Sequence, residues 1–101
     1  MGKVIAEVTV VPLGTCSTSL SDYVADVERI LEKYPQIRKQ LTPMSTILEG
    51  DLNLILKVVL EMHENPFLSG AKRVSTRISI DDRRDKNATM QKKIESVKSK
   101  I

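Results

Sequence analysis

Residues Arg73 to Asp81, RVSTRISID, alternate without a break: Val74, Thr76, Ile78 and Ile80 fall on one side, and Arg73, Ser75, Arg77, Ser79 and Asp81 on the other. A period of two is that of a β-strand, and this strand has one wet face. Lys3 to Val11 repeats the pattern in β-branched form, with Val4, Ala6, Val8 and Val10 on a core side and Ile5, Glu7, Thr9 and Val11 on a mixed side. Pro12 is expected to stop it. The rest of the chain must cover the dry sides of these two strands.

The cover is helical. Leu20, Tyr23, Val24, Val27, Ile30 and Leu31 recur at spacings of three and four, so Ser21 to about Lys33 reads as an amphipathic helix ended by Pro35. Asp51 caps a second helix to about Phe67, with Leu52, Ile55, Leu56, Val59, Leu60 and His63 along its expected buried stripe and Pro66 and Gly70 at its exit. Between the helices lie two short extended pieces, about Ile37 to Thr42 and Ser45 to Glu49, with Pro43 suited to the edge or bend of a hairpin. A charged loop, Asp82 to Asn87, leads to a last short helix marked by Met90, Ile94, Val97 and Ile101.

Strand, helix, strand, strand, helix, strand is the ferredoxin-like order, an α+β fold of four antiparallel strands with both helices on one face, here with an extra C-terminal helix. One domain over 1–101 suits a chain of 101 residues. The topology makes the first and last strands neighbours, so Ile5, Glu7, Thr9 and Val11 share the open face with Ser75, Arg77 and Ser79, and Glu7 is expected beside Arg77. The third strand adds Ile47 and Glu49 if Thr46 and Leu48 turn inward. A half-apolar face with charges is a poor monomer surface, so two such faces are expected to meet in a homo-oligomer.

Composition bounds the function. Hydrophobic residues at 41% and charged residues at 29% are those of an ordinary globular protein, and no run of about 18 apolar residues is present to span a membrane. The start, MGKVIAEVTVV, lacks the parts of a signal peptide, and Ala6 stands where a myristoylation signal needs Ser or Thr. With a single cysteine, Cys16, this points to the cytoplasm. Net charge is +3, but the basic tail alternates sign and the chain has only three aromatics, Tyr23, Tyr34 and Phe67, which argues against nucleic acid.

Between Pro12 and the first helix, Gly14, Thr15, Ser17, Thr18 and Ser19 gather hydroxyls and backbone N–H groups in one loop. It is either an ordinary strand-to-helix turn or a cradle for a small polar ligand. No metal motif occurs, because HEN at His63 is not HExxH and Cys16 is remote in sequence. His63 reads as a satisfied core or interface histidine, and Cys16 among small residues as unreactive. In the cluster Asp81 to Asp85, carboxylates oppose the binding of an anion by Arg83 and Arg84, so salt bridges between subunits are the better reading.

The phrase VVPLGTCSTSLSDYV, the segment MSTILEGD and the run RVSTRISIDDRRD resemble, in order and spacing, the small thiamine-binding protein family, related to the YkoF-type proteins that bind thiamine and its hydroxymethylpyrimidine moiety. The resemblance spans essentially the whole chain. It matches at Pro12, Leu13, Gly14, Thr15, Ser17 and Ser19, at Met44, Thr46, Leu48, Glu49 and Gly50, and at Arg73, Val74, Ile80 and Asp81 to Asp85. The link KYPQIRKQLTP departs from the family in being longer and more basic. The resemblance implies a ferredoxin-like domain that assembles through its sheets, commonly as a dimer of dimers, and a thiamine-like ligand rather than a reaction or a further cofactor.

Thiamine carries a cationic thiazolium, an aminopyrimidine and a hydroxyethyl arm, so its site needs a carboxylate, hydroxyls or amides, and an apolar slot. Glu49 or Glu7 is expected near the cation or the exocyclic amine. Thr9, Thr46 and Ser79 offer hydroxyls, and Ile5, Ile47 and Met44 apolar contact. With Arg77 and the loop residues Thr15, Ser17 and Ser19 they form the expected site. The competing reading pairs Glu7 with Arg77 across strands and packs Ile47 in a subunit interface, leaving an assembly module with no small-molecule role.

Overall fold

The computed structural model describes residues 3–14, 21–85 and 89–101. Its elements are β1 (Lys3–Leu13), α1 (Ser21–Glu32), β2 (Arg38–Leu41), β3 (Thr46–Asp51), α2 (Leu52–Leu68), β4 (Arg73–Asp81) and α3 (Met90–Lys98). The four strands form one antiparallel sheet in the order β2-β3-β1-β4. This is the ferredoxin-like arrangement expected from the element order.

Register fixes the two faces. Ala6 lies across from Leu48 and Ile80, and Val8 across from Thr46 and Ile78. These positions turn toward the helices. Val4, Ala6, Val8 and Leu48 join Val27, Ile30 and Leu31 of α1, Ile37, and Ile55, Val58, Val59 and Met62 of α2 in one buried cluster. Removing the Leu48 side chain beyond Cβ would cost about 2–5 kcal/mol. The Asp51 carboxylate accepts from the Leu54 N–H at 3.1 Å and caps α2, a contribution of about 1 kcal/mol.

Three local expectations are corrected. β1 does not stop at Pro12: the proline is buried, lies across from Val74, and the strand ends at Leu13. Proline is tolerated there because beyond Val8 the strand is paired on one side only among the described residues. The buried stripe of α2 is Ile55, Val58, Val59, Met62 and Pro66, whereas Leu56 and Leu60 are exposed. That helix is apolar on more than one side, so periodicity alone left its phase open. Ile78 and Ile80, expected in the core, are 38% and 40% exposed, because β4 is an edge strand that α2 meets at Thr76.

Candidate functional site

The site grows out of a mismatch in strand length. β3 begins at Thr46, opposite Val8, while β1 runs on to Leu13 with β4 as its only partner strand. The sheet therefore has a notch beside Thr9 to Leu13, where one edge of β1 has no partner strand among the described residues. The chain reaches the notch through a tight turn: the Thr42 hydroxyl donates to the Ser45 carbonyl at 2.8 Å and accepts from the Ser45 N–H at 3.0 Å, and the Thr42 N–H bonds the same carbonyl at 2.8 Å. Met44, at the tip, is 86% exposed.

On the helix side the notch opens into a pocket of about 410 Å³ between α1, β1 and the hairpin, with Met62 and Pro66 of α2 at its floor. Val8, Val10, Val24, Val27 and Leu41 supply apolar walls, and Tyr23, Thr42 and Thr46 the hydroxyls. No charged side chain lines it among the described residues. Thr46 is buried, and its hydroxyl has no hydrogen-bond partner among the described residues.

On the open side lies a shallower depression of about 690 Å³ lined by Glu7, Thr9, Met44, Ser45, Arg77 and Ser79, with Thr76 and Ile78. Thr9, Met44 and Ser45 border both hollows. Ser45 Oγ donates to Glu7 Oε2 at 3.0 Å. Glu7 sits opposite Ser79, and Arg77 opposite Thr9, so the carboxylate and the guanidinium are diagonal rather than adjacent. Among the described residues the Arg77 side chain makes no hydrogen bond or ion pair.

The expected residues thus divide. Glu7, Thr9, Met44, Arg77 and Ser79 come together at the open depression, while Thr46 turns inward and joins Thr9 and Met44 at the pocket. Ile47 and Glu49 share the open face farther along β3, Ile47 between Gln40 and Glu7 and Glu49 between Arg38 and Ile5. Glu49 is only 3% exposed, and its Oε2 has no partner among the described residues. Thr15, Ser17 and Ser19 lie outside the described residues, as does Cys16.

Tyr23, Thr42 and Ser45 were not among the expected ligand contacts. Their sequence signal was proximity: Thr42 and Ser45 flank the Pro43 bend, and Tyr23 opens the helix that follows the loop. His63 is satisfied, with Nδ1 2.7 Å from Thr76 Oγ1 and its ring edge-on to Phe67. Arg83 bonds Asp85 and Arg84 bonds Asp82, so each guanidinium holds a carboxylate within its own loop. The described residues include no group of three or more His, Cys, Asp or Glu able to hold a metal, and no helix long and apolar enough to cross a membrane.

Comparison with known proteins agrees with this architecture. Residues 6–98 match the model of the family described as thiamine-binding protein. The chain is 53% identical over 96 residues to the UPF0045 protein YqgV of Bacillus subtilis, covering 92% of each. It resembles the crystal structure of the Methanocaldococcus jannaschii protein MJ1052, with a TM-score of 0.85, 38% identity, and 96% and 97% of the two chains covered. A Thermotoga maritima structure under the working designation of a thiamine biosynthesis/salvage protein shares the fold, with a TM-score of 0.77 at 21% identity over 94% of this chain and 98% of that one. A family match over nearly the whole chain and close relatives of equal length lead to one assignment: the chain belongs to the thiamine-binding protein family.

Proposed function

We propose that the protein binds thiamine or a related hydroxymethylpyrimidine without transforming it, with the pyrimidine ring in the pocket at the notch. One observation carries this reading: in a chain of the thiamine-binding family, a pocket of about 410 Å³, uncharged among the described residues, runs along an edge of β1 that no described strand pairs. Its volume lies in the range of small-molecule sites, and apolar walls with a few polar groups are what such sites use. Unpaired backbone N–H and C=O groups along β1 suit the donor and acceptor edge of an aminopyrimidine. Tyr23 offers a ring face or edge.

A permanent cation is costly in an uncharged pocket, so the thiazolium belongs near a carboxylate. Glu7, on the other side of the rim formed by Thr9, Met44 and Ser45, is the nearest candidate by lining, with Arg77 and Ser79 beside it. Glu49 and Ile47 extend the same face. Thr15, Ser17 and Ser19 enter the proposal from the sequence alone, as hydroxyls of the loop after β1. The protein works as a homo-oligomer in the cytoplasm, a reading supported by its half-apolar open face and single cysteine.

Isothermal titration with thiamine, thiamine phosphates and hydroxymethylpyrimidine tests the reading. Saturable binding at one site per subunit or per pair supports it, and the preferred compound identifies the half that is recognised. Flat traces for all of them overturn it and leave an assembly module.

A further inference from the structure

Two stretches of the chain without acidic residues meet at one end of the sheet. No Asp or Glu occurs from Val8 to Ser21 or from Asn65 to Ile80, whereas the second stretch carries Lys72, Arg73 and Arg77. β1 ends within the first stretch and β4 begins within the second, with Leu13 opposite Arg73. A hollow of about 560 Å³ lies where they meet. Leu13 and Gly14 line it from the end of β1, Tyr23 from the first turn of α1, and Ser69, Lys72 and Arg73 from the link between α2 and β4.

We propose that this hollow is an anion site that takes a phosphoryl group, held by Lys72 and Arg73. Elsewhere the chain answers its cations with its own carboxylates, as at Arg29, Lys39, Arg83, Arg84 and Lys93. Lys72 and Arg73 form no ion pair among the described residues, and no described carboxylate lines the hollow. Asp22, next to Tyr23 in sequence, does not line it. Two adjacent cations repel each other and gain from a shared anion. The planar fork of Arg73 and the point charge of Lys72 are both suited to phosphate oxygens, and Tyr23 and Ser69 add hydroxyls.

The carboxyl end of α2 would oppose an anion, but its closing turn occupies the Pro66 and Phe67 carbonyls. Pro66 accepts from the Ser69 and Ala71 N–H groups at 3.1 and 3.0 Å, and Phe67 from the Gly70 N–H at 3.2 Å. Gly70, at φ 101°, adopts the left-handed backbone of that turn, which delivers Lys72 and Arg73 to the rim. Tyr23 also lines the pocket at the notch, and Val11 of that pocket stands two residues from Leu13, about 7 Å of strand. A phosphoryl group on a short arm from a ring in the pocket is within reach of the two cations, and a free phosphate anion meets the same donors. The site rests on charge and shape at the end of the sheet and stands whether or not a pyrimidine occupies the pocket.

Inorganic pyrophosphate is the first probe. Isothermal titration at low ionic strength, where screening is weakest, is expected to show saturable binding at one site per subunit. Lys72→Gln combined with Arg73→Gln should weaken it at least tenfold. Lys98→Gln combined with Lys100→Gln removes the same charge from the far end of α3 and should change it less than twofold. All four side chains are exposed, and urea denaturation run alongside shows that both variants fold. No saturable binding by wild type, an affinity unchanged in the first variant, or an equal loss in both overturns the proposal. Hydroxymethylpyrimidine and its phosphate ester then identify the source of the phosphoryl group. An ester that binds at least tenfold tighter than the alcohol, with the gain lost in the first variant, joins the site to the pocket. An ester with no gain, beside saturable pyrophosphate binding, assigns the site to a free anion. Flat traces for the alcohol with pyrophosphate still bound support the site and count against the pyrimidine reading alone.

Discussion

Ser45 Oγ donates to Glu7 Oε2 at 3.0 Å across the notch, tying the hairpin tip to the open face of β1. The bond keeps the Glu7 carboxylate at the rim between the two hollows. Glu7→Gln keeps an acceptor for Ser45 and removes the charge. If the carboxylate balances a thiazolium at this rim, thiamine binding falls about tenfold, the scale of one charge-assisted hydrogen bond, while neutral hydroxymethylpyrimidine binds as before. Equal losses for both ligands would assign Glu7 a structural role only. Parallel titrations of wild type and variant distinguish these.

Thr46 separates ligand contact from folding because its hydroxyl is spare. The residue is buried against the helices, with no hydrogen-bond partner among the described residues, and Thr46→Val preserves its shape. Stability in urea should change by less than about 1 kcal/mol, because the hydroxyl faces the pocket and supports no bond in the fold. Affinity for the pyrimidine ligand should fall several-fold. A variant that loses stability and keeps affinity would mean that the hydroxyl serves the fold rather than the pocket.

Much of this was legible in the sequence because strands and helices bury alternate and every-third-or-fourth residues. The alternation of Lys3–Val11 and Arg73–Asp81 fixed which side chains share the open face, and the element order fixed the sheet. What escaped depends on relations between elements. Glu7 and Arg77 were expected side by side, but register sets Ser79 opposite Glu7, and register follows from where β1 and β4 meet. Leu56 and Leu60 were placed in the core because α2 is apolar on adjoining faces, and only packing against the sheet selects Ile55, Val58, Val59 and Met62. The notch escaped for the same reason. Strand ends at Thr46 and Leu13 can be guessed separately, but the gap between them exists only once β3 is laid on β1.

Tyr34, just beyond α1, donates to the Glu61 carboxylate of α2, and this hydrogen bond holds the Tyr34 phenol above its ordinary range. A raised folded-state value means that the contribution to stability is fully present below about pH 10, the unfolded value, and is lost as pH rises through the folded value. Tyr34→Phe should therefore be less stable than wild type at neutral pH, with the difference shrinking at strongly alkaline pH. Chemical denaturation of both proteins at the two pH values reads it. A constant difference would mean that the ring's packing, not its hydroxyl, joins the helices.

Glu49 gives the sharpest contrast between stability and function. Its carboxylate is almost entirely removed from solvent on the open side of β3, flanked in register by Arg38 and Ile5, and Oε2 has no partner among the described residues. Leaving a buried polar atom unpaired costs about 1–3 kcal/mol, more for a charge. If the ligand's hydroxyethyl arm runs from the Glu7 rim along the open face and donates to this oxygen, binding recovers that cost. Glu49→Gln removes the charge with little change of shape, and should raise the urea midpoint while weakening thiamine binding. Glu49→Ala should abolish ligand binding and leave the oligomer intact. Sedimentation run beside each titration tells the roles apart: loss of mass together with loss of binding would place Glu49 in a subunit contact, and unchanged affinity in both variants would remove it from the site.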